Sequence, residues 1–129
     1  MNKDFFFRTG QNMQVILADG HQNVRTALRL LIEEEPEWCV VSEATNAGRL
    51  LSLLAQNPPD LLLLDASLPG RRMEDLLAEL RLKYPQLMII ILSGRPETHR
   101  PALHSGANAF VSKGNPPEDL LKTLHTLMD

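Results

Sequence analysis

Four polar residues stand where apolar runs end. Asp19 follows Val15-Ile16-Leu17-Ala18, Asp65 follows Leu61-Leu62-Leu63-Leu64, Ser93 follows Ile89-Ile90-Ile91-Leu92, and Lys113 follows Ala109-Phe110-Val111-Ser112. Brought together, they would converge two carboxylates, a hydroxyl and an amine on one point. Asp65, closing an unbroken leucine run, is the centre of whatever chemistry the chain performs.

Such convergence needs strands whose ends meet. From residue 14 onward, short apolar runs alternate with segments of helical apolar spacing, the pattern of successive β-α units. The strands are expected at 14–19, 38–43, 60–65, 87–93 and 109–112. The first, third and fourth are apolar on both faces, as in a sheet covered by helices on both sides. Helical stripes follow in Val24-Leu28-Leu31-Ile32, Ala47-Leu50-Leu51-Leu54, Met73-Leu76-Leu77-Leu80 and Leu120-Leu121-Leu124-Leu127-Met128.

Breakers fall where this parse needs them. Pro36, Pro58-Pro59 and Pro85 close the first three helices, and Pro116-Pro117 open the last. The fourth helix is expected to be short, about 98–105, with Thr98 as its cap and Pro101 confined to its first turn. Right-handed crossovers then give a doubly wound α/β fold, a five-stranded parallel sheet of order 2-1-3-4-5. In that order the ligand crevice opens at the C-terminal ends of strands 1 and 3, between Asp19 and Asp65.

Composition narrows the functions. The 129 residues are 43% apolar and 22% charged, ordinary for one globular domain. Residues 1–13 read as an irregular leader and 14–129 as the domain. A net charge of -3 and the lack of a basic run argue against nucleic-acid binding by this segment. Cys39 is the only cysteine, which excludes an internal disulfide, and its apolar setting predicts a buried thiol in a reducing compartment. The Phe5-Phe6-Phe7 cluster is far shorter than the ~20 residues of a membrane span or the ~7–15 of a signal-peptide core. A cytoplasmic location is expected, with no membrane partner.

The strand-end residues, the "PDLLLLD" run, the "SLPG" after it and the "ILSG…GANAFVSK" pattern resemble the receiver domain of bacterial two-component response regulators, over residues 14–128. The stretch "VRTALRLLIEEEPEWCVVSEA" is most similar to receivers of the NarL type, which carry a C-terminal helix-turn-helix output domain. The resemblance implies a flavodoxin-like (CheY-like) (βα)5 fold. It implies Asp65 as the acceptor of a phosphoryl group from a sensor histidine kinase, Ser93 as the hydroxyl that bonds a phosphoryl oxygen, and Lys113 as the ammonium that offsets its charge. Phe110 takes the place of a switch aromatic, with core packing as the plain alternative. Mg²⁺ would be held by Asp19, Asp65 and the main-chain carbonyl of Ser67.

The pattern breaks in three places. The family's second acidic residue after strand 1 is here Gly20, which weakens or removes the Mg²⁺ site. "GRRMED" replaces an Asp-Gly pair after strand 3, so Arg71 and Arg72 are either solvated or one of them stands in for the missing cation. Gly114, not proline, follows Lys113, and no cis peptide is expected there. His21, His99, His104 and His125 lack metal-ligand spacing and are expected in surface or capping roles.

Two functions remain open on these residues. One is a phosphorelay switch that accepts a phosphoryl group on Asp65 and remodels the face of the fourth helix, fifth strand and fifth helix for a partner. It catalyses its own phosphorylation and dephosphorylation without being a separate turnover enzyme. The other, motivated by Gly20, is a degenerate, phosphorylation-independent receiver acting as an interaction or homodimerisation module. A phosphatase or flavin carrier fits poorly. Ala66-Ser67 after Asp65 offers no second aspartate, and the loop after strand 1 offers no phosphate cradle.

Overall fold

The computed structural model describes residues 13–128. In chain order they form β1 (Met13–Ala18), α1 (Gln22–Ile32), β2 (Trp38–Ala44), α2 (Ala47–Gln56), β3 (Leu61–Asp65), α3 (Met73–Lys83), β4 (Met88–Ser93), α4 (His99–His104), β5 (Ala109–Ser112) and α5 (Pro117–Met128). The strands make one parallel sheet of order β2-β1-β3-β4-β5, as the crossover rule requires. Most of the expected leader lies outside the described residues, and Met13 already belongs to β1.

Alternation along the strands explains their continuous apolar runs. On one face Ile16, Leu62, Leu64, Ile89 and Ile91 meet buried residues of α2, α3 and α4. On the other, Val15, Leu17, Leu61, Leu63 and Ile90 meet Ile32 of α1 and Leu120 and Leu124 of α5. A leucine run such as 61–64 is therefore buried throughout, two residues to each layer. Asp65 extends it by one more paired residue, opposite Leu92.

Helix ends follow local chemistry. Asn46 caps α2 by accepting the Arg49 N–H at 2.8 Å. Pro117 occupies the first position of α5, where its missing N–H costs nothing. Thr98 does not cap α4 with its side chain as expected. A 3₁₀ turn over Pro96–Thr98 runs straight into α4 with Thr98 at φ -82°, ψ -8°, so the extended geometry of a capping residue is lost. Cys39, expected to be buried, is half-buried on the edge strand β2.

Below the sheet, Arg81 gathers the carbonyls of two loops. Its guanidinium donates to Leu87 O at 2.7 Å, to Gly106 O at 2.7 and 3.0 Å and to Asn108 Oδ1 at 3.0 Å. Gly106 ends α4 at φ +121°, a conformation that favours glycine, and a Cβ there would meet Arg81 Cγ at 3.3 Å. Arg81→Met keeps the stem but leaves these carbonyls unanswered. It is expected to cost about 2–3 kcal/mol, read as a lower urea midpoint at unchanged slope.

Candidate functional site

The C-terminal edge of the sheet brings Asp19, Asp65 and Lys113 into direct contact. Lys113 Nζ lies 2.8 Å from Asp19 Oδ2 and 3.3 Å from Asp65 Oδ1. Both carboxylates are buried, at 1% and 4% exposure, so a single ammonium balances two charges with little solvent between them. Backbone hydrogen bonds anchor each participant. Asp19 N–H donates to Ala44 O, Ala66 N–H to Leu92 O and Lys113 N–H to Ser93 O.

The two carboxylates differ in how fully they are engaged. Asp19 Oδ1 accepts the His21 N–H at 2.8 Å and lies 2.9 Å from His21 Nδ1, while Oδ2 takes Lys113. Burial pushes the Asp19 carboxyl up, but the Lys113 ammonium and the His21 contacts together hold it below its ordinary value. For Lys113, burial opposes the charge, and the two aspartates outweigh it and raise the ammonium. Asp65 spends one oxygen only. Oδ1 accepts Ser67 N–H at 3.1 Å and pairs with Lys113, and Oδ2 is buried without a hydrogen-bond partner among the described residues.

Ser93 ends the neighbouring strand and is buried, at 3% exposure, but its hydroxyl engages the following loop and not the carboxylates. Ser93 Oγ accepts the Arg95 N–H at 3.0 Å and lies 2.9 Å from Thr98 Oγ1, whose own proton goes to Arg95 O at 2.6 Å. Phe110 lies outside this group. It pairs with Ile91, two residues before the Ser93–Ser112 pair, is partly buried, and stacks on His99 with ring centroids 4.7 Å apart. His99 thus joins α4 to β5, a role beyond the surface or capping one expected of it.

The arginine substitute for a cation is not found. Arg71 reaches Glu79 at 2.8 Å, and Arg72, 78% exposed, has Glu74 at 3.8 Å as its acidic neighbour. Acids on α3 are closer to both guanidinium groups than the crevice is. Arg25, missed in the sequence, and His21, expected only in a surface or capping role, serve the site instead. Arg25 donates to Asp19 O at 2.9 Å and to Glu43 at 2.8 Å, fixing the β1–α1 turn. His21, the first residue past Gly20, brings its ring onto Asp19. Its adjacency to the glycine was the only signal available.

A divalent cation fits this donor set. Asp19, His21 and Asp65 each offer a ligand atom, and these lie within 4.8 Å of one another. The buried Asp65 Oδ2 lacks a partner that such an ion would supply. No helix among the described residues is long and apolar enough to cross a membrane.

Comparison with known proteins agrees with this geometry. The family model of the response regulator receiver domain matches residues 15–125. The nitrate/nitrite response regulator protein NarL of Escherichia coli is 36% identical over 113 residues, which are 86% of this chain and 52% of NarL. The transcriptional regulatory protein YhcZ of Bacillus subtilis is 32% identical, over 86% of this chain and 53% of its own. The chain thus spans about half the length of these curated relatives. Among solved structures, a LuxR-family response regulator from Aurantimonas superposes with a TM-score of 0.84 at 28% identity, covering 90% of this chain and 84% of that one. The isolated REC domain of RcsB from Salmonella enterica, solved with phosphomimetic BeF3-, gives 0.83 at 30% identity, with coverages of 91% and 88%. With the strand order, the crevice and the matched span in agreement, the chain belongs to the response regulator receiver domain family.

Proposed function

We propose that this chain is the phosphoacceptor module of a transcription-regulating two-component system in the cytoplasm, and that Asp65 takes the phosphoryl group from a sensor histidine kinase. The reading is carried by Asp65 Oδ2, a buried carboxylate oxygen with no partner among the described residues, beside an ammonium that already holds its twin. That oxygen attacks phosphorus in line as the bond to the donor's leaving atom breaks and the electron pair departs with the donor. Asp19, Asp65 and the Ser67 carbonyl would hold the divalent cation, which neutralises charge on the phosphoryl oxygens. Lys113 turns from Asp65 toward the added negative charge, and Ser93 offers its hydroxyl to a phosphoryl oxygen.

The last step is the switch. Ser93 is tied to Arg95 and Thr98, so drawing it toward the crevice pulls the start of α4 with it. His99 then shifts against Phe110, changing the α4-β5-α5 surface on which Leu103 is 43% exposed. A partner or a second copy of the chain reads that surface.

Incubation with a small acyl phosphate and a divalent cation, followed by intact mass measurement, is expected to show one phosphoryl adduct that disappears in Asp65→Asn. An unmodified chain at every cation concentration would overturn the proposal and favour a phosphorylation-independent receiver.

A further inference from the structure

Gly20 leaves the crevice one carboxylate short, and the next side chain along the chain, His21, lies against Asp19. We propose that His21 is a cation ligand, and that this site takes an imidazole-seeking first-row transition dication in preference to Mg²⁺. The inference rests on the phosphoacceptor reading only for the identity of the site, since cation binding needs no phosphoryl donor.

The geometry is specific. His21, the residue before α1, is extended at φ -105°, ψ 116°, and both its N–H and its ring meet Asp19 Oδ1. Its Nδ1 lies 2.9 Å from that oxygen. Adjacent donors in an octahedral shell with bonds of ~2.1 Å stand ~3.0 Å apart, so a cation that replaces the Nδ1 proton of this hydrogen bond finds the two atoms already spaced as neighbouring corners. The third donor comes from Asp65, all three lying within 4.8 Å, and opposite corners of the same shell are ~4.2 Å apart. A modest side-chain rotation closes the set. Asp65 Oδ2, buried without a partner among the described residues, is an independent observation pointing to a cation.

Ligand chemistry then decides the ion. Carboxylate, carbonyl and water oxygens suit Mg²⁺, whereas imidazole suits Fe²⁺, Ni²⁺, Cu²⁺ and Zn²⁺. Glycine in place of the family's second acid removes a negative charge, which costs a hard ion most, and the neighbouring imidazole adds a nitrogen donor, which the softer ions exploit. His21 binds through Nδ1 in the tautomer that carries its proton on Nε2, and the ring's 70% exposure leaves it free to adopt it. Affinity for a transition ion thus depends on His21, and affinity for Mg²⁺ does not.

The test is calorimetric titration of the whole chain with NiCl2 and with MgCl2, in the natural form, in His21→Asn and in Asp65→Asn. Asparagine is a favoured helix cap, so the first variant keeps the start of α1. Loss of a ligand costs at least as much as loss of an outer-shell partner, about 10- to 100-fold. Ni²⁺ affinity is therefore expected to fall at least about tenfold in both variants, and Mg²⁺ affinity to stay within about twofold in His21→Asn. Unchanged Ni²⁺ binding in His21→Asn overturns the inference. So does unchanged Ni²⁺ binding in Asp65→Asn, which would show that the ion does not use the crevice carboxylate. A chain that takes up no phosphoryl group but still reads Ni²⁺ through His21 overturns the proposed function and leaves this inference standing.

Discussion

Gly20→Asp is expected to bind Mg²⁺ about ten- to a hundredfold more tightly than the natural chain, the worth of one charge-assisted contact of ~1.5–3 kcal/mol. The backbone permits the change. Only Gly70 and Gly106 have positive φ among the described residues, and a Cβ on Gly20 would find Pro69 Cδ at 3.4 Å and Thr45 O at 3.7 Å, ordinary contact distances. Glycine is therefore not demanded by the fold at this position. A third carboxylate also adds repulsion when no cation is bound, so the variant should be less stable than the natural chain in chelator and gain more from added MgCl2. Calorimetric titration with MgCl2 and urea melts with and without it measure both effects. A change in affinity below about threefold would mean that the absent acid is not what limits Mg²⁺ binding.

Lys113→Met is expected to destabilise the domain by about 3 kcal/mol at neutral pH, because it strands two buried carboxylates. Solvent reaches the ammonium, whose side chain is 27% exposed, which places the loss at the low end of the range for buried pairs. The pH dependence has a definite sign. Asp19 is held below its ordinary 3.8 in the folded state, so its contribution is present above pH 3.8 and lost as pH falls through the lower folded value. Lys113 is raised above 10.5, so its contribution is full below pH 10.5 and lost as pH rises through the higher folded value. The gap between the two proteins should be widest near neutral pH and narrow at both ends, sooner on the acid side than the folded Asp19 of the natural chain implies, because the carboxylates stranded in the variant take up protons more readily. Urea midpoints across the pH scale measure it. A gap that widened toward acid would show that the ammonium and the carboxylates are not a unit.

Much of this architecture was legible because burial leaves a mark on sequence. Leu61 to Leu64 are apolar on both faces since each face meets its own helical layer, and strand order followed from crossover handedness once five β-α units were recognised. Asp19, Asp65 and Lys113 were found because they end such runs. The strand bounds shifted by about a residue, and at β3 the backbone bonding still reaches the residue expected as its start. Asp60 donates to Gln14 O and accepts from Met88 N, yet β3 begins at Leu61. What escaped the sequence depended on distant neighbours. His99 finds Phe110, Arg25 finds Glu43, and Thr98 finds Ser93 only after the chain has folded. No local period encodes those meetings.

The Arg81 cluster gives α4 one fixed end. Its last turn leads into Gly106, whose carbonyl is clamped to α3, while its first turn hangs from two hydroxyl contacts at Ser93 and Thr98. The helix is mounted like a lever on a pivot. If Ser93 is drawn toward the crevice as proposed, the helix is expected to tilt about its Gly106 end.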